Sequence, residues 1–391
     1  MRIAISGAGV AGTALAHWLH RTGHTPTVIE QAPAFRSGGY MIDFWGVGYT
    51  VARRMGIEAA LLEAGYEIES VRTVGADGST VAALDTNVFR HLLGQDFTSL
   101  PRGDLAATIH ATIADDVEMI YGDTITAVDE HDDGVALTFA HAGPRDFDLL
   151  IGADGLHSNV RRLVFGPHRD FEHYLGCKVA ACVVDGYRPR DELTYVTYAV
   201  PGRQVARVAL RDDRTMFLFV YRDPSAEVDA DPKAALRNQF GDAGWECRQM
   251  LDALDDGLHD SGDLYFDVVS QVRMERWSRG RVLLIGDAAG CISLLGGEGT
   301  GLAITEAYVL AGELRDDDHR RAFERYETRL RPFIESKQAG ARQFLGFFAT
   351  RTRFGLWFRG VAIRAMNLRP LANLLAGGVR DDFDLPDYRI S

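Results

Sequence analysis

The chain has 391 residues, 46% hydrophobic and 25% charged, a balance that fits a folded protein of two or three packed units and argues against extended disorder. Its 42 Lys and Arg stand against 55 Asp and Glu, a net charge of −13, which repels phosphate backbones and argues against nucleic-acid binding. Four cysteines, Cys177, Cys182, Cys247 and Cys291, form neither a disulfide framework nor a zinc-ligand spacing, so reduced thiols, no bound metal and a cytoplasmic setting are expected. The opening MRIAISGAGVAG breaks the apolar core of a secretory signal with glycines, and no later run reaches the roughly 18 apolar residues of a membrane span.

Residues 2–6 read as a short buried strand, 10–21 as a helix and 26–30 as a second strand, a βαβ opening. Between them Gly7-Ala8-Gly9-Val10-Ala11-Gly12 has the form GxGxxG, after a strand and opening a helix. Gly7 permits the tight turn, Gly9 lets backbone amides approach a pyrophosphate, and Gly12 lets helix and strand pack closely; the helix N-terminus adds positive potential. Ala11 is placed with these glycines at the cofactor. The second strand ends at Glu30, where a carboxylate accepts the hydroxyls of an adenosine ribose and repels a 2′-phosphate. Arg36 is read either as an aid beside the adenosine or as a solvated side chain.

Downstream, residues 68–75 and 80–84 flank Ala76-Asp77-Gly78-Ser79 as a hairpin. Runs at 178–184, 194–200, 204–210 and 216–221 suggest an antiparallel sheet, with Asp212-Asp213-Arg214 as one turn. Residues 282–285 return as a parallel-type strand, followed by Gly286-Asp287-Ala288-Ala289 and a helix over 302–314. The chain is thus expected to leave its nucleotide fold and come back to it.

Three further patches narrow the reading: Pro101-Arg102-Gly103-Asp104-Leu105, the Asp-Gly run Gly152-Ala153-Asp154-Gly155-Leu156-His157-Ser158-Asn159-Val160-Arg161, and Leu284-Ile285-Gly286-Asp287-Ala288-Ala289. With GxGxxG, in this order, they resemble the single-component FAD-dependent aromatic hydroxylases, the class A flavoprotein monooxygenases. The segment Ser37-Gly38-Gly39-Tyr40-Met41-Ile42-Asp43 is similar to their tetracycline-inactivating branch. The resemblance implies an α/β fold: a Rossmann-like FAD-binding domain over 1–70, 99–170 and 275–318, an inserted antiparallel β-sheet substrate domain over 71–98 and 171–274, and C-terminal helices over 319–391. It also implies FAD as cofactor, NADH or NADPH as co-substrate, and hydroxylation by O₂, through a flavin C4a-hydroperoxide, of a small aromatic or polyketide-like substrate.

By that resemblance Asp154 is shared between the flavin pyrophosphate and NAD(P)H handling, Arg161 fixes the adjacent helix, and Arg102 meets the ribityl or pyrophosphate region. Asp287 is placed to hydrogen-bond a ribityl hydroxyl, and Gly297, Gly299 and Thr300 to bring bare amides to the flavin. The family's prolines before the glycine cluster are replaced here by Ser293-Leu294-Leu295, and the following Asn by Gly301. Only one GxGxxG fingerprint is present, as expected when NAD(P)H visits a surface site instead of owning a second fold. No catalytic side chain is assigned, and His157 is read as structural or solvent-facing. An FAD-dependent dehydrogenase without oxygen transfer and a flavin-containing antibiotic-sequestering protein remain open alternatives.

On the expected sheet, Phe217, Phe219 and Tyr221 share one face, and Val205, Arg207 and Ala209 share one face of the neighbouring strand. Two readings stand side by side, a substrate surface and ordinary core packing; Arg207 in either case needs an acidic or enolate partner. Residues 319–380 hold thirteen Arg or Lys against three Glu, with Phe344, Phe347, Phe348, Phe354, Trp357 and Phe358 interleaved. This stretch is expected to close over the acidic remainder of the chain, with contact to an anionic membrane as the alternative.

Overall fold

The computed structural model describes residues 1–35, 40–88, 96–256, 258, 264–315, 318–367 and 383–390. Arg36, residues 37–39 of the tetracycline-branch segment, Arg369 and Arg380 lie outside the described residues.

A six-stranded sheet runs Ser278–Arg279, Val282–Leu284, Leu149–Gly152, Arg2–Ser6, Thr25–Glu30, Glu118–Tyr121. All neighbouring pairs are parallel except the short antiparallel edge at Ser278–Arg279. Ile3, Ala4, Ile5, Leu149, Leu150, Ile151, Leu283 and Leu284 have no exposed surface. Such unbroken apolar runs are what a parallel sheet covered on both faces requires. The helices Val10–Arg21 and Gly299–Glu313 pack together beside it, with the Trp18 and Tyr308 rings 5.0 Å apart. The registers pair Ser6 with Gly152 and Gly152 with Leu284. Three loops from distant parts of the sequence therefore leave the sheet in one row.

The second sheet has seven strands, in the order Tyr265–Val272, Glu172–Asp185, Arg214–Arg222, Arg203–Ala209, Thr194–Val200, Ser70–Val74, Thr80–Asp85. It departs from the expected antiparallel arrangement at one place: Thr194–Val200 runs parallel to Ser70–Val74. No hairpin joins those two strands, which are more than a hundred residues apart in the chain, so no tight turn imposes antiparallel pairing. Asp212 and Asp213 both take positive φ in the turn between Arg203–Ala209 and Arg214–Arg222, the conformation a two-residue hairpin turn uses.

Each face of this sheet packs against something different. Phe217, Phe219, Tyr221, Cys182 and Val205 meet the helices Pro232–Phe240 and Cys247–Asp256 through Leu236, Phe240, Met250 and Leu254. The other face presents Val179, Val220 and Leu218 to Leu294, Leu295 and Leu345, and Val208 and Met216 to Met41, Tyr66 and Ile68. Leu294 and Leu295 belong to the loop that follows the third strand of the row, so this second face looks toward the motif loops.

The helix His319–Phe348 then crosses the molecule. Arg325 and Arg329 pair with the buried Glu313 at 2.5 and 3.4 Å, and Lys337 pairs with Glu298, so the basic segment is tied to the body by charge. The helix Arg353–Met366 packs on the Thr80–Asp85 edge through Ile363, Ala82 and Leu84.

Candidate functional site

The first loop is shaped by what its glycines lack. Gly7 has φ +105°, and a Cβ there would lie 2.6 Å from the Ala153 carbonyl oxygen; a Cβ on Gly12 would lie 1.9 Å from the Gly7 carbonyl oxygen. Gly9 is different, because nothing lies within 4 Å of its Cβ position. It is the N-cap of Val10–Arg21, a helix with no side-chain cap and no acid in its first turn, so the amides there remain available to an anion. Ala11 packs against Gly286 of the third loop, 3.1 Å from that residue's Cβ position. The Glu30 carboxylate is held at the end of its strand by the Ala8 and Ala32 amides, each donating at 2.8 Å to a separate oxygen. A carboxylate oxygen so bonded keeps a lone pair for a second donor.

In the second loop, Asp154 is a joint between elements. Its Oδ1 accepts from Ser158 Oγ at 2.5 Å, and its Oδ2 accepts from the Val160 amide at 3.0 Å and Ser6 Oγ at 3.3 Å. Arg161 is fully buried and reaches further than its own helix. It donates to the Leu156 carbonyl at 2.6 Å and to the Ala288 carbonyl at 2.9 Å, tying the second loop to the third. His157 Nε2 lies 3.0 Å from Asp267 on the seven-stranded sheet. That bond raises its pKa against the lowering effect of burial, and makes it a clasp between the two sheets.

The third loop carries Asp287, an exposed residue between the buried Gly286 and Ala288. A Cβ on Gly299 would lie 3.8 Å from its Oδ1, so the start of the following helix lies in contact with the carboxylate. Gly297 has φ +72° with nothing within 4 Å of its Cβ position. Gly299 and Thr300 open the Gly299–Glu313 helix, again with no side-chain cap and no acid in the first turn. Gly48 is explained by packing: a Cβ there would lie 2.4 Å from the Gly301 Cα, whereas a Cβ on Gly301 would lie 3.7 Å from the Gly48 Cα, so the helix Gly46–Arg54 crosses here backbone to backbone. Ser293 has φ +99° and is 3% exposed, and its Oγ has no hydrogen-bond partner, a strained residue of the kind found at ligand sites.

Arg102 opens the helix Arg102–Ala111, and its amide donates to the Tyr40 carbonyl at 2.9 Å. The Tyr40 and Tyr265 rings stand 5.8 Å apart. Burial pushes the Tyr40 hydroxyl up to about 12; Arg102 opposes this and Asp287 and Asp267 reinforce it. Burial also raises Tyr265, with Tyr40, Asp267 and Asp287 adding to the effect. Sequence reasoning gave no role to Tyr265, Asp267 or Glu306. Glu306, 2% exposed, accepts from the Gly286 amide at 2.6 Å and from the Tyr326 hydroxyl at 2.9 Å through one oxygen. Its signal was available, as a lone carboxylate inside the apolar run Leu302-Ala303-Ile304-Thr305-Glu306-Ala307.

The expected substrate surface needs correction. Phe217, Phe219 and Tyr221 are at most 1% exposed and face the helices on the side away from the motif loops, with Phe219 and Tyr221 against Phe240 at 5.4 and 6.1 Å. Arg207 finds its acidic partners inside the protein: Glu246 at 2.6 Å and Asp191 at 2.7 Å. Alternation fixes which residues share a face, and with both faces buried it leaves open which face the loops use. The loop-facing set is Val208, Met216, Leu218 and Val220. A groove of about 520 Å³, bordered by Phe165, Arg276, Arg279, Arg320 and Phe323, opens beside the sheet edge, and no motif residue borders it.

Two open helix N-termini, amides beside glycines whose Cβ positions face empty space, and carboxylates after strands of one parallel sheet fit a dinucleotide laid along the loop row. Residues 1–337 match the family described as FAD binding domain. The chain belongs to that FAD-binding family. A flavin-dependent monooxygenase from an unknown prokaryotic organism is 35% identical over 86% of this chain and 88% of its own. Among solved structures, the tetracycline destructases Tet(55) and Tet(51) are 31% and 28% identical, with TM-scores of 0.81 and 0.83. The alignments cover 99% of this chain and 98% and 99% of theirs. The FAD-binding protein is thus an enzyme, a class A flavin-dependent monooxygenase, and its cofactor is FAD.

Proposed function

We propose that this enzyme consumes NADH or NADPH and hydroxylates a planar, polyketide-like aromatic molecule bound between the loop row and the seven-stranded sheet. The observation that carries the reading is the likeness to Tet(55) along almost the whole of both chains. The same reading assigns 1–70, 99–170 and 275–318 to flavin binding, 71–98 and 171–274 to the substrate, and 319–391 to closure.

The residues divide the work. The Gly9 turn and the Val10–Arg21 helix N-terminus receive the pyrophosphate, and Glu30 accepts from the adenosine ribose. Asp287 accepts from a ribityl hydroxyl, and the Gly297, Gly299 and Thr300 amides meet the flavin pyrimidine. Arg102 adds positive charge to the same neighbourhood. Asp154 acts chiefly by fixing the second loop through Ser158, Val160 and Ser6. Bound flavin supplies the redox chemistry that activates O₂ and delivers one oxygen atom. Tyr40 and Tyr265, both held protonated at neutral pH by burial, act as hydrogen-bond donors, while Leu218, Val220 and Met216 exclude water from the substrate side.

The test uses the purified yellow protein with NADH or NADPH and a panel of phenols, polyketides and tetracyclines. Substrate-stimulated NAD(P)H oxidation with a product heavier by one oxygen atom is expected. NAD(P)H oxidation that yields only hydrogen peroxide or a desaturated product would favour a dehydrogenase, and tight binding without NAD(P)H loss would favour sequestration.

A further inference from the structure

The Arg353–Met366 helix buries one face and leaves an apolar stripe bare on another. Ile363 turns to the sheet, and Arg359 donates to Gln204 Oε1 at 2.6 Å and to the Phe347 carbonyl at 2.9 Å. On the outer side Phe354, Trp357, Phe358 and Val361 are 72, 62, 60 and 38% exposed. The spacing i, i+3, i+4, i+7 sets them in a single line along the helix, and the Phe354 and Trp357 rings lie 5.7 Å apart. Val81, 40% exposed on the adjoining strand and next to Gly360, extends the apolar surface. Contiguous exposed rings of this kind mark an interaction site, because burial of each ring is worth more than scattered exposure.

The charge around the stripe says what kind of surface it meets. At 3.6 residues per turn, Arg353 and Arg364 fall beside Trp357 on one edge of the stripe, and Arg351 precedes the helix; all three are exposed. Among the described residues, no carboxylate lies within salt-bridge distance of any of them. The whole stretch 337–380 contains no Asp or Glu. The rest of the chain is strongly acidic, with a net charge of −13 that already includes these arginines. A second copy docked stripe to stripe would bring these arginines together with no acid in the segment to offset them.

We propose that this stripe docks the enzyme on an anionic lipid surface. The rings enter the headgroup boundary and the guanidinium groups of Arg351 and Arg353 reach lipid phosphates, joined by the terminal nitrogens of Arg364, whose Nε donates to the Val81 carbonyl at 3.0 Å, as in interfacial amphipathic helices. No helix among the described residues is long and apolar enough to cross a membrane, so the contact lies along the surface. The acidic body, repelled by the same lipids, orients the enzyme with this helix down.

The test is co-sedimentation of the full-length holoenzyme with vesicles of phosphatidylcholine alone or mixed with phosphatidylglycerol, with tryptophan emission as a second readout. Binding to the phosphatidylglycerol vesicles is expected, at least ~10-fold tighter than to phosphatidylcholine alone and weakened by salt. The variant Phe354→Ser, Trp357→Ser, Phe358→Ser is expected to lose ~10-fold or more of that binding while keeping its flavin. A separate Arg353→Gln, Arg364→Gln variant is expected to lose the preference for anionic lipid. Absence of binding at low salt, or binding unchanged in the ring variant, would overturn the proposal. A lipid-free dimer dissolved by the ring variant would overturn it as well, and would give the stripe to a second copy of the chain.

Discussion

The two sheets present their ligands with different materials. At the six-stranded sheet the groups proposed to meet the flavin are mostly backbone amides, around Gly9, Gly297 and Gly299, with Glu30 and Asp287 as the few carboxylates. At the seven-stranded sheet the face proposed for the substrate is made of side chains, Val208, Met216, Leu218 and Val220, of which only Leu218 keeps partial exposure, and it is backed by a second, fully packed face. The first site is therefore specified by missing volume, most tightly at Gly7 and Gly12, where a Cβ would run into backbone. The second is specified by side-chain identity, and Leu218, the partly exposed member, is the position most open to change.

The largest effect that would break this contrast is expected at Gly12. Gly12→Ala drives a methyl group into the Gly7 carbonyl, and the purified variant should carry almost no flavin; wild-type flavin content would contradict a site built on missing volume. Next comes the back of the substrate sheet. Glu246→Ala strips Arg207 of its 2.6 Å partner and should lower unfolding free energy by about 3–5 kcal/mol in denaturant titrations. Phe219→Ala should cost a similar ~3–5 kcal/mol, whereas Leu218→Ala, one residue along and on the loop-facing side, should change KM more than stability.

A pH effect follows. Burial pushes Glu306 up to about 7, so the folded protein favours its protonated form over the unfolded chain. The resulting stability is fully present below the unfolded value near 4.5 and is lost as pH rises through about 7. Over that window the loss is on the order of 3 kcal/mol, and Glu306→Gln should flatten the slope in thermal melts. The smallest expected effect is Asp287→Ala, a loss of about 1.5–3 kcal/mol in FAD affinity with the melting temperature of the flavin-free protein unchanged.

The opening strand, turn and helix were legible almost to the residue, because glycine geometry and apolar periodicity are local properties. The helix read from Leu302 begins at Gly299, since its glycine-rich first turn imitates a loop. Other features depended on distant partners. Arg161 gives no sign in sequence of reaching Ala288, and Gly48 makes sense only against Gly301. The face of Phe217 and Phe219 was set by two helices that come later in the chain. Ser293 marks where the family's proline pattern stops, yet its positive φ and orphaned hydroxyl are visible only in the fold.

In the proposed function a backbone-built flavin site serves oxygen transfer to a molecule on the opposite sheet. Its most direct test is mass spectrometry of the product formed from NAD(P)H and the best panel substrate under isotopically labelled dioxygen. Incorporation of one labelled oxygen atom per NAD(P)H consumed is the predicted result. An unlabelled product, or hydrogen peroxide as the sole destination of the label, would contradict it.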